Sequence, residues 1–207
     1  MSDRLRLGNR PRPPLLSWDS GPGLRWLLFT QGCRTPCTDR CLNPHYLASE
    51  GGQLVTLAEL LFVADLLASG LYGPVEGVTV LGGEPTDQAA TLAPFLQSCR
   101  AAGLGTMVYT GRPLDWVERN APMLLPHVDL LVDGPFLPAL ADPSLRWRGS
   151  TNQRLLLLTS RYQVSTLAAE MAHRGMTLSL HPGAPSTVSG LQDRKAAEAI
   201  ERIIAGR

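Results

Sequence analysis

Three cysteines fall within nine residues in the run Gln31-Gly-Cys33-Arg-Thr-Pro-Cys37-Thr-Asp-Arg-Cys41-Leu-Asn-Pro44, while the fourth, Cys99, stands alone. Cysteine sulfur suits zinc and iron–sulfur clusters, and three thiolates on one short loop can wrap a compact metal centre. The short spacers disfavour a disulfide between neighbours, and the leftover cysteine would lack a partner. Two metal readings stay open. With His45 the loop offers a Cys₃His zinc set, although structural zinc usually draws its ligands from two separated pairs. Without a fourth protein ligand, three cysteines hold three irons of a 4Fe–4S cube and leave one iron open to a substrate. A structural loop without metal is the third alternative.

A second constellation is Leu81-Gly82-Gly83-Glu84-Pro85. Two glycines let a ligand approach the backbone closely, and a carboxylate directly after them can accept from a cationic group such as an amine. By itself this pattern also describes a tight strand-to-helix turn with an exposed glutamate.

These residues need elements that hold them at one place. The chain has 207 residues, 44% hydrophobic and 18% charged, which predicts a packed globular core rather than disorder. A single domain over 1–207 is expected, with a core over about 24–181, an N-terminal arm over 1–23 and a C-terminal helix over 189–206. Nineteen Lys and Arg against eighteen Asp and Glu give +1, so charge makes no case for nucleic acid or an anionic membrane. Arg4, Arg6, Arg10 and Arg12 crowd the start, which reads as a solvated terminus. The apolar runs fall short of the ~18–20 residues of a membrane helix, and the first ten residues lack the apolar core of a signal peptide. The expectation is a soluble, cytoplasmic protein. There cysteines point to metal or catalysis rather than to disulfides.

Strand patterns alternate with helix patterns. Residues 24–30, 77–81, 104–110 and 128–132 read as strands, with helices predicted over 56–71, 86–102 and 114–120. Thr56-Leu-Ala-Glu59 is a capping box, and Pro94 predicts a kink or a new helix start inside 86–102. Residues 135–149, with three prolines, read as an irregular excursion. Strands over 153–159 and 176–180 and a helix over 166–174 follow. Such alternation implies an α/β fold with a mostly parallel sheet and right-handed crossovers, whose ligands sit at the carboxyl ends of the strands. Both constellations fall at such ends.

The cysteine loop paired with Gly82-Gly83-Glu84-Pro85 resembles the radical S-adenosylmethionine superfamily. Further stretches resemble one branch of it, the activating proteins of anaerobic ribonucleotide reductase: Cys41-Leu-Asn-Pro44, Val108-Tyr-Thr-Gly111, Val132-Asp-Gly-Pro-Phe136 and Trp147-Arg-Gly-Ser-Thr-Asn-Gln-Arg154. The resemblance runs from about Phe29 to Arg154 and implies a partial (β/α) barrel. It further implies that Cys33, Cys37 and Cys41 ligate a 4Fe–4S cluster and that S-adenosylmethionine chelates the open iron. Gly82, Gly83 and Glu84 would bond the methionine amino group, Thr110 would face the cofactor, and Asp133 would bond ribose hydroxyls. Asn152 and Arg154 belong to the activator stretch without an assigned role. The implied activity is reductive cleavage to a 5′-deoxyadenosyl radical, fed by an external one-electron donor, to place a glycyl radical on a partner protein.

The spacing departs from the usual Cys-x₃-Cys-x₂-Cys by one residue after Cys37. One residue spans at most ~3.3–3.6 Å, and Asn43 and Pro44 follow in register, so the loop reads as bulged but cluster-binding. A degenerate site or altered chemistry are the alternatives. Two rival functions stand beside the activase: a radical enzyme acting on a small molecule or peptide, and a zinc-stabilised binding module without catalysis. Cys99 and Trp147 read as core residues and His181 as a structural histidine near a strand end, while His127 and His173 carry no signal.

Overall fold

A computed structural model describes residues 3–39, 41–171, 177–179 and 187–189. Eight strands form one sheet: β1 (Arg4–Leu7), β2 (Leu16–Ser17), β3 (Leu24–Thr30), β4 (Gln53–Thr56), β5 (Val75–Gly82), β6 (Gly105–Tyr109), β7 (Leu130–Asp133) and β8 (Arg154–Leu157). The order is β4-β1-β3-β5-β6-β7-β8, with β2 paired to β3. The four central strands β3, β5, β6 and β7 run parallel, and β1, β4 and β8 add antiparallel flanks. A mixed α/β fold with a parallel centre is thus as expected. Helices α1 (Leu57–Ala68), α2 (Ala89–Ala101), α3 (Leu114–Asn120) and α4 (Val164–Met171) complete the main elements. A separate antiparallel pair joins β9 (Thr177–Ser179) to β10 (Thr187–Ser189).

The arginine-rich start is a strand rather than a solvated arm. Arg-Leu-Arg-Leu alternates, so Leu5 and Leu7 are buried while Arg4 faces out, the period-2 pattern of a half-covered strand. Helix α1 begins as predicted, with the Glu59 amide donating to Thr56 Oγ1 at 3.2 Å, and buries Leu60, Val63, Ala64 and Leu67. Each fully buried large apolar side chain contributes ~1.5–3 kcal/mol. The new helix start offered at Pro94 does not occur. Residues 85–88 form a 3₁₀ turn and α2 runs through Pro94 without interruption, with Ala93, Phe95 and Leu96 buried on either side. Core packing outweighs the one backbone bond that proline removes. Cys99 lies in this helix, fully buried, and burial pushes its thiol well above the ordinary range. The C-terminal helix over 189–206, His173 and His181 lie outside the described residues.

At the amino-terminal end of the central strands sits Arg25, fully buried. Its guanidinium donates to Thr79 Oγ1 at 2.7 Å, to the carbonyls of Val78 at 2.7 Å, Gly105 at 2.9 Å and Pro22 at 3.2 Å, and to the Tyr162 hydroxyl at 3.0 Å. Only such full satisfaction makes a buried guanidinium tolerable. At the opposite end the registers set Thr30 beside Gly82 and Tyr109 beside Val132. The chain therefore leaves β3, β5, β6 and β7 along one edge of the sheet.

Candidate cofactor and metal site

Along that edge lies a cavity of about 240 Å³ whose wall includes Cys33, Cys37, Cys41, Gly82, Gly83, Glu84, Thr110 and Gly111. The two constellations singled out in the sequence meet there. Their junction is made of backbone. The Gly83 amide donates to the Thr30 carbonyl at 2.8 Å, and the Glu84 amide to the Gly32 carbonyl at 2.8 Å. A Cβ at Gly82 would stand 2.7 Å from the Thr30 backbone, and one at Gly83 would stand 2.1 Å from the Gly32 oxygen. Here glycine is required so that the turn after β5 can lie on the cysteine loop, and both glycines also line the cavity. The loop closes on the 3₁₀ turn Pro44–Tyr46: the Gly32 amide donates to the Tyr46 carbonyl and the Cys33 amide to the Leu47 carbonyl.

Glu84 is buried, not the exposed glutamate of an ordinary turn. Oε1 accepts from the Thr110 hydroxyl at 2.8 Å, the Thr86 hydroxyl at 2.6 Å and the Thr86 amide at 3.0 Å; Oε2 accepts from the Gly111 amide at 3.0 Å. Four donors satisfy the cost of burying a carboxylate, and they leave Oε2 with acceptor capacity toward the cavity. Thr110 in turn accepts from the Arg112 amide at 3.1 Å. Its hydroxyl is therefore spent on holding Glu84.

Arg112, which the sequence analysis did not single out, ties three loops together. Its guanidinium meets Asp87 Oδ1 at 2.6 Å, Thr86 Oγ1 at 3.2 Å and Thr35 Oγ1 at 3.0 Å, and stacks 3.7 Å from the centre of the Trp116 ring. Asp87 Oδ2 accepts from the Arg34 amide at 2.9 Å. The cysteine loop is thus gripped at Arg34 and Thr35 by a partly buried ion pair. No motif marks such a residue; its only signal is a cation following a strand end.

Asp133 stands behind the cavity wall. It is buried at the end of β7, accepts from the Leu114 amide at the start of α3 at 2.7 Å, and pairs with Arg154 through both oxygens. Its neighbour Gly134 does line the cavity, as does Gln153. Gln153 fastens the activator-like stretch, accepting from the Gly149 amide at 2.8 Å and donating to the Gly134 carbonyl at 3.0 Å. Asn152 donates to the Pro135 carbonyl at 2.7 Å. Trp147 packs with Met107, Leu130 and Val132 as a core residue.

The donor set fits a metal cluster better than a closed single-ion cage. Among the described residues no three His, Cys, Asp or Glu side chains converge on one ion position; His45 is exposed and does not line the cavity. A cube takes its thiolates on separate irons. Cys37 is exposed, Cys33 and Cys41 half-buried. Burial raises the Cys33 thiol above the ordinary range, against a lowering by the Thr35 backbone and with a further rise from Glu84. A metal bound there would displace a proton. Gly111 supplies the space between the two constellations: a Cβ on it would lie 3.6 Å from Glu84 Oε2 and 3.8 Å from Cys37 Sγ. The carboxylate and a thiol therefore face one small opening from two sides.

Comparison with known proteins bears on the same residues. A family model described as a 4Fe-4S single cluster domain matches residues 20–156. The anaerobic ribonucleoside-triphosphate reductase-activating protein of Haemophilus influenzae is 34% identical over 139 residues, covering 65% of this chain and 88% of that protein. Its namesake in Escherichia coli K12 shows the same identity and coverage. That of bacteriophage T4 is 29% identical over 141 residues, covering 66% of this chain and 85% of its own length.

Proposed function

This chain belongs to the 4Fe-4S single cluster domain family, together with the activating proteins of anaerobic ribonucleoside-triphosphate reductase, and we propose that it is a radical S-adenosylmethionine activase acting on such a reductase. The observation that carries the reading is the opening at Gly111, flanked by a cysteine thiol and by a fixed, buried carboxylate. Cys33, Cys37 and Cys41 would hold the cluster. Glu84 would accept from the methionine ammonium through Oε2, with Gly82 and Gly83 setting its position and Thr110 orienting it. Asp133 would act at one remove from the ribose end, by holding Arg154 and the start of α3 behind Gly134. When bound, cluster and cofactor supply one-electron cleavage to a 5′-deoxyadenosyl radical, with the electron from an external donor; the chain supplies position and exclusion of water.

The reading carries with it the partial (β/α) barrel of this superfamily, one domain over 1–207 and a cytoplasmic location, where a reduced cluster and its partner are both at hand. Among the described residues no helix is long and apolar enough to cross a membrane. The test is electron paramagnetic resonance on anaerobically reconstituted, reduced protein. A reduced 4Fe–4S signal that changes on adding S-adenosylmethionine, followed by a glycine-centred signal on the reductase, is expected. A colourless zinc protein, or a cluster indifferent to the cofactor, overturns the reading.

A further inference from the structure

Two of the three clustered cysteines open the same short phrase. Cys33-Arg-Thr-Pro36 and Cys41-Leu-Asn-Pro44 each set a small polar residue two places after the thiol and a proline directly behind it. Cys37 is followed by Thr-Asp-Arg, without a proline. The fold gives the phrase a shape. The Asn43 amide donates to Cys41 Sγ at 3.4 Å, and the Thr35 amide donates to the Cys33 sulfur. Among the described residues Cys37 receives no such bond, and it is the exposed one of the three.

Both amides are held in place. A residue before proline is kept out of the helical region, and Asn43 lies at φ −123° and ψ 56°. Its carbonyl accepts from the Tyr46 amide at 3.1 Å, so the residue is fixed by the 3₁₀ turn behind it. The first phrase is braced from the opposite flank. The Arg34 amide donates to Asp87 at 2.9 Å, and the Thr35 hydroxyl accepts from Arg112 at 3.0 Å. Each turn thus has a proline and a further brace, and neither amide can swing off its sulfur without breaking other contacts of the site.

An N–H aimed at a ligand sulfur draws electron density from it, and hydrogen bonds to the sulfurs are one of the levers that set an iron–sulfur potential. Reduction adds a negative charge, so the reduced form gains more from each donor than the oxidised form does, as charge-assisted bonds do. We propose that the two Cys-x-Thr/Asn-Pro turns are tuning devices. The Thr35 and Asn43 amides raise the reduction potential of a cluster held on Cys33 and Cys41, and Cys37 is the ligand left without an amide, facing solvent. Thr35 and Asn43 act through the sulfurs and are positioning residues. This rests on the activase reading and adds to it how the chain eases the electron uptake with which that reaction begins.

The test uses the full, anaerobically reconstituted chain, with the midpoint potential read from a redox titration followed by electron paramagnetic resonance. Replacing Thr35 or Asn43 by its α-hydroxy acid turns the amide into an ester, which removes the N–H and keeps the side chain. Each ester should lower the potential by about tenfold in the reduction equilibrium, or ~59 mV for one electron, with four irons per chain retained. The same change at Asp39, two places after Cys37, should leave the potential at the parent value. Pro36→Ala and Pro44→Ala keep both sulfur-bonding amides and free the turns. They should shift the potential the same way by a smaller step, and they decide the matter if an ester chain fails to take up its iron. Unmoved potentials overturn the inference. So does an equal fall at Asp39, which would assign the effect to any change in the loop. In either case a cluster that responds to S-adenosylmethionine leaves the activase reading standing. A parent chain that assembles no 4Fe–4S cluster removes both.

Discussion

The Thr110 hydroxyl, at the end of one parallel strand, holds the Glu84 carboxylate, which follows the end of its neighbour, at 2.8 Å. The contact spans two strand-end loops and aims the one carboxylate that the described residues place in the wall of the cysteine-lined cavity. With the Thr86 hydroxyl on the same oxygen, it leaves Glu84 no freedom to swing toward solvent. An amine entering the cavity meets an acceptor already in place.

Removing that hydroxyl should therefore be felt by the cofactor rather than by the metal. Thr110→Val is expected to weaken S-adenosylmethionine binding about tenfold, because hydrogen bonds to charged groups are worth ~1.5–3 kcal/mol. Thr110→Ser should restore it. Glu84→Ala should lose more, while four irons remain per chain. Equilibrium dialysis beside iron analysis separates the two; iron loss in Thr110→Val would show that the contact serves the fold instead.

The grip of Arg112 on the cysteine loop predicts a different phenotype. Arg112→Met removes the bonds to Asp87, Thr86 and Thr35 together, and hydrogen exchange over residues 33–39 should rise at least tenfold. Lysine should not rescue, since a single ammonium cannot span three acceptors and stack on Trp116. Protection equal to the parent chain would dismiss the grip.

The cysteines divide cleanly. Cys37→Ala should abolish cluster assembly, measured as iron and sulfide per chain, with little change in thermal stability because Cys37 is exposed. Cys99→Ala should keep all the iron and lose about 1 kcal/mol from a small core void. Full iron retention in Cys37→Ala would remove it from the ligand set.

Gly83 and Gly111 make a matched pair. Gly83→Ala drives a methyl to 2.1 Å from the Gly32 oxygen and should destabilise the fold by at least the ~1–3 kcal/mol typical of overpacking. Gly111→Ala meets only ordinary contacts; its melting temperature should hold while S-adenosylmethionine affinity falls, because the methyl fills the opening between Glu84 and Cys37. Equal melting temperatures for both variants would contradict the geometry.

The parallel strands, α1 and the two constellations were legible because each is a local pattern: an apolar run, a capping signal, a spacing. What was not legible is what depends on distant partners. The two glycines line the cavity, where their sequence pattern offers room for a ligand, but they also make room for the backbone of residues 30–32, about fifty positions away, which no local pattern announces. Asp133 read as a cofactor contact because nothing local announces Arg154. The strand Arg4–Leu7 was hidden by its arginines, although its alternation was present; charge outweighed periodicity in the reading but not in the fold. Pro94 shows the reverse, a strong local rule overridden by packing on both sides.

The cysteine loop is anchored near both ends: at Cys33 and Arg34 by the Leu47 carbonyl and Asp87, and past Cys41 by the 3₁₀ turn that begins at Pro44. Beyond the Thr35 contact to Arg112, a length change before Pro44 is expected to leave the first thiol and the turn that follows the last in place. The extra residue between Cys37 and Cys41 is then the kind of length variation that natural sequences can accumulate at this place while keeping the rest of the wall in register.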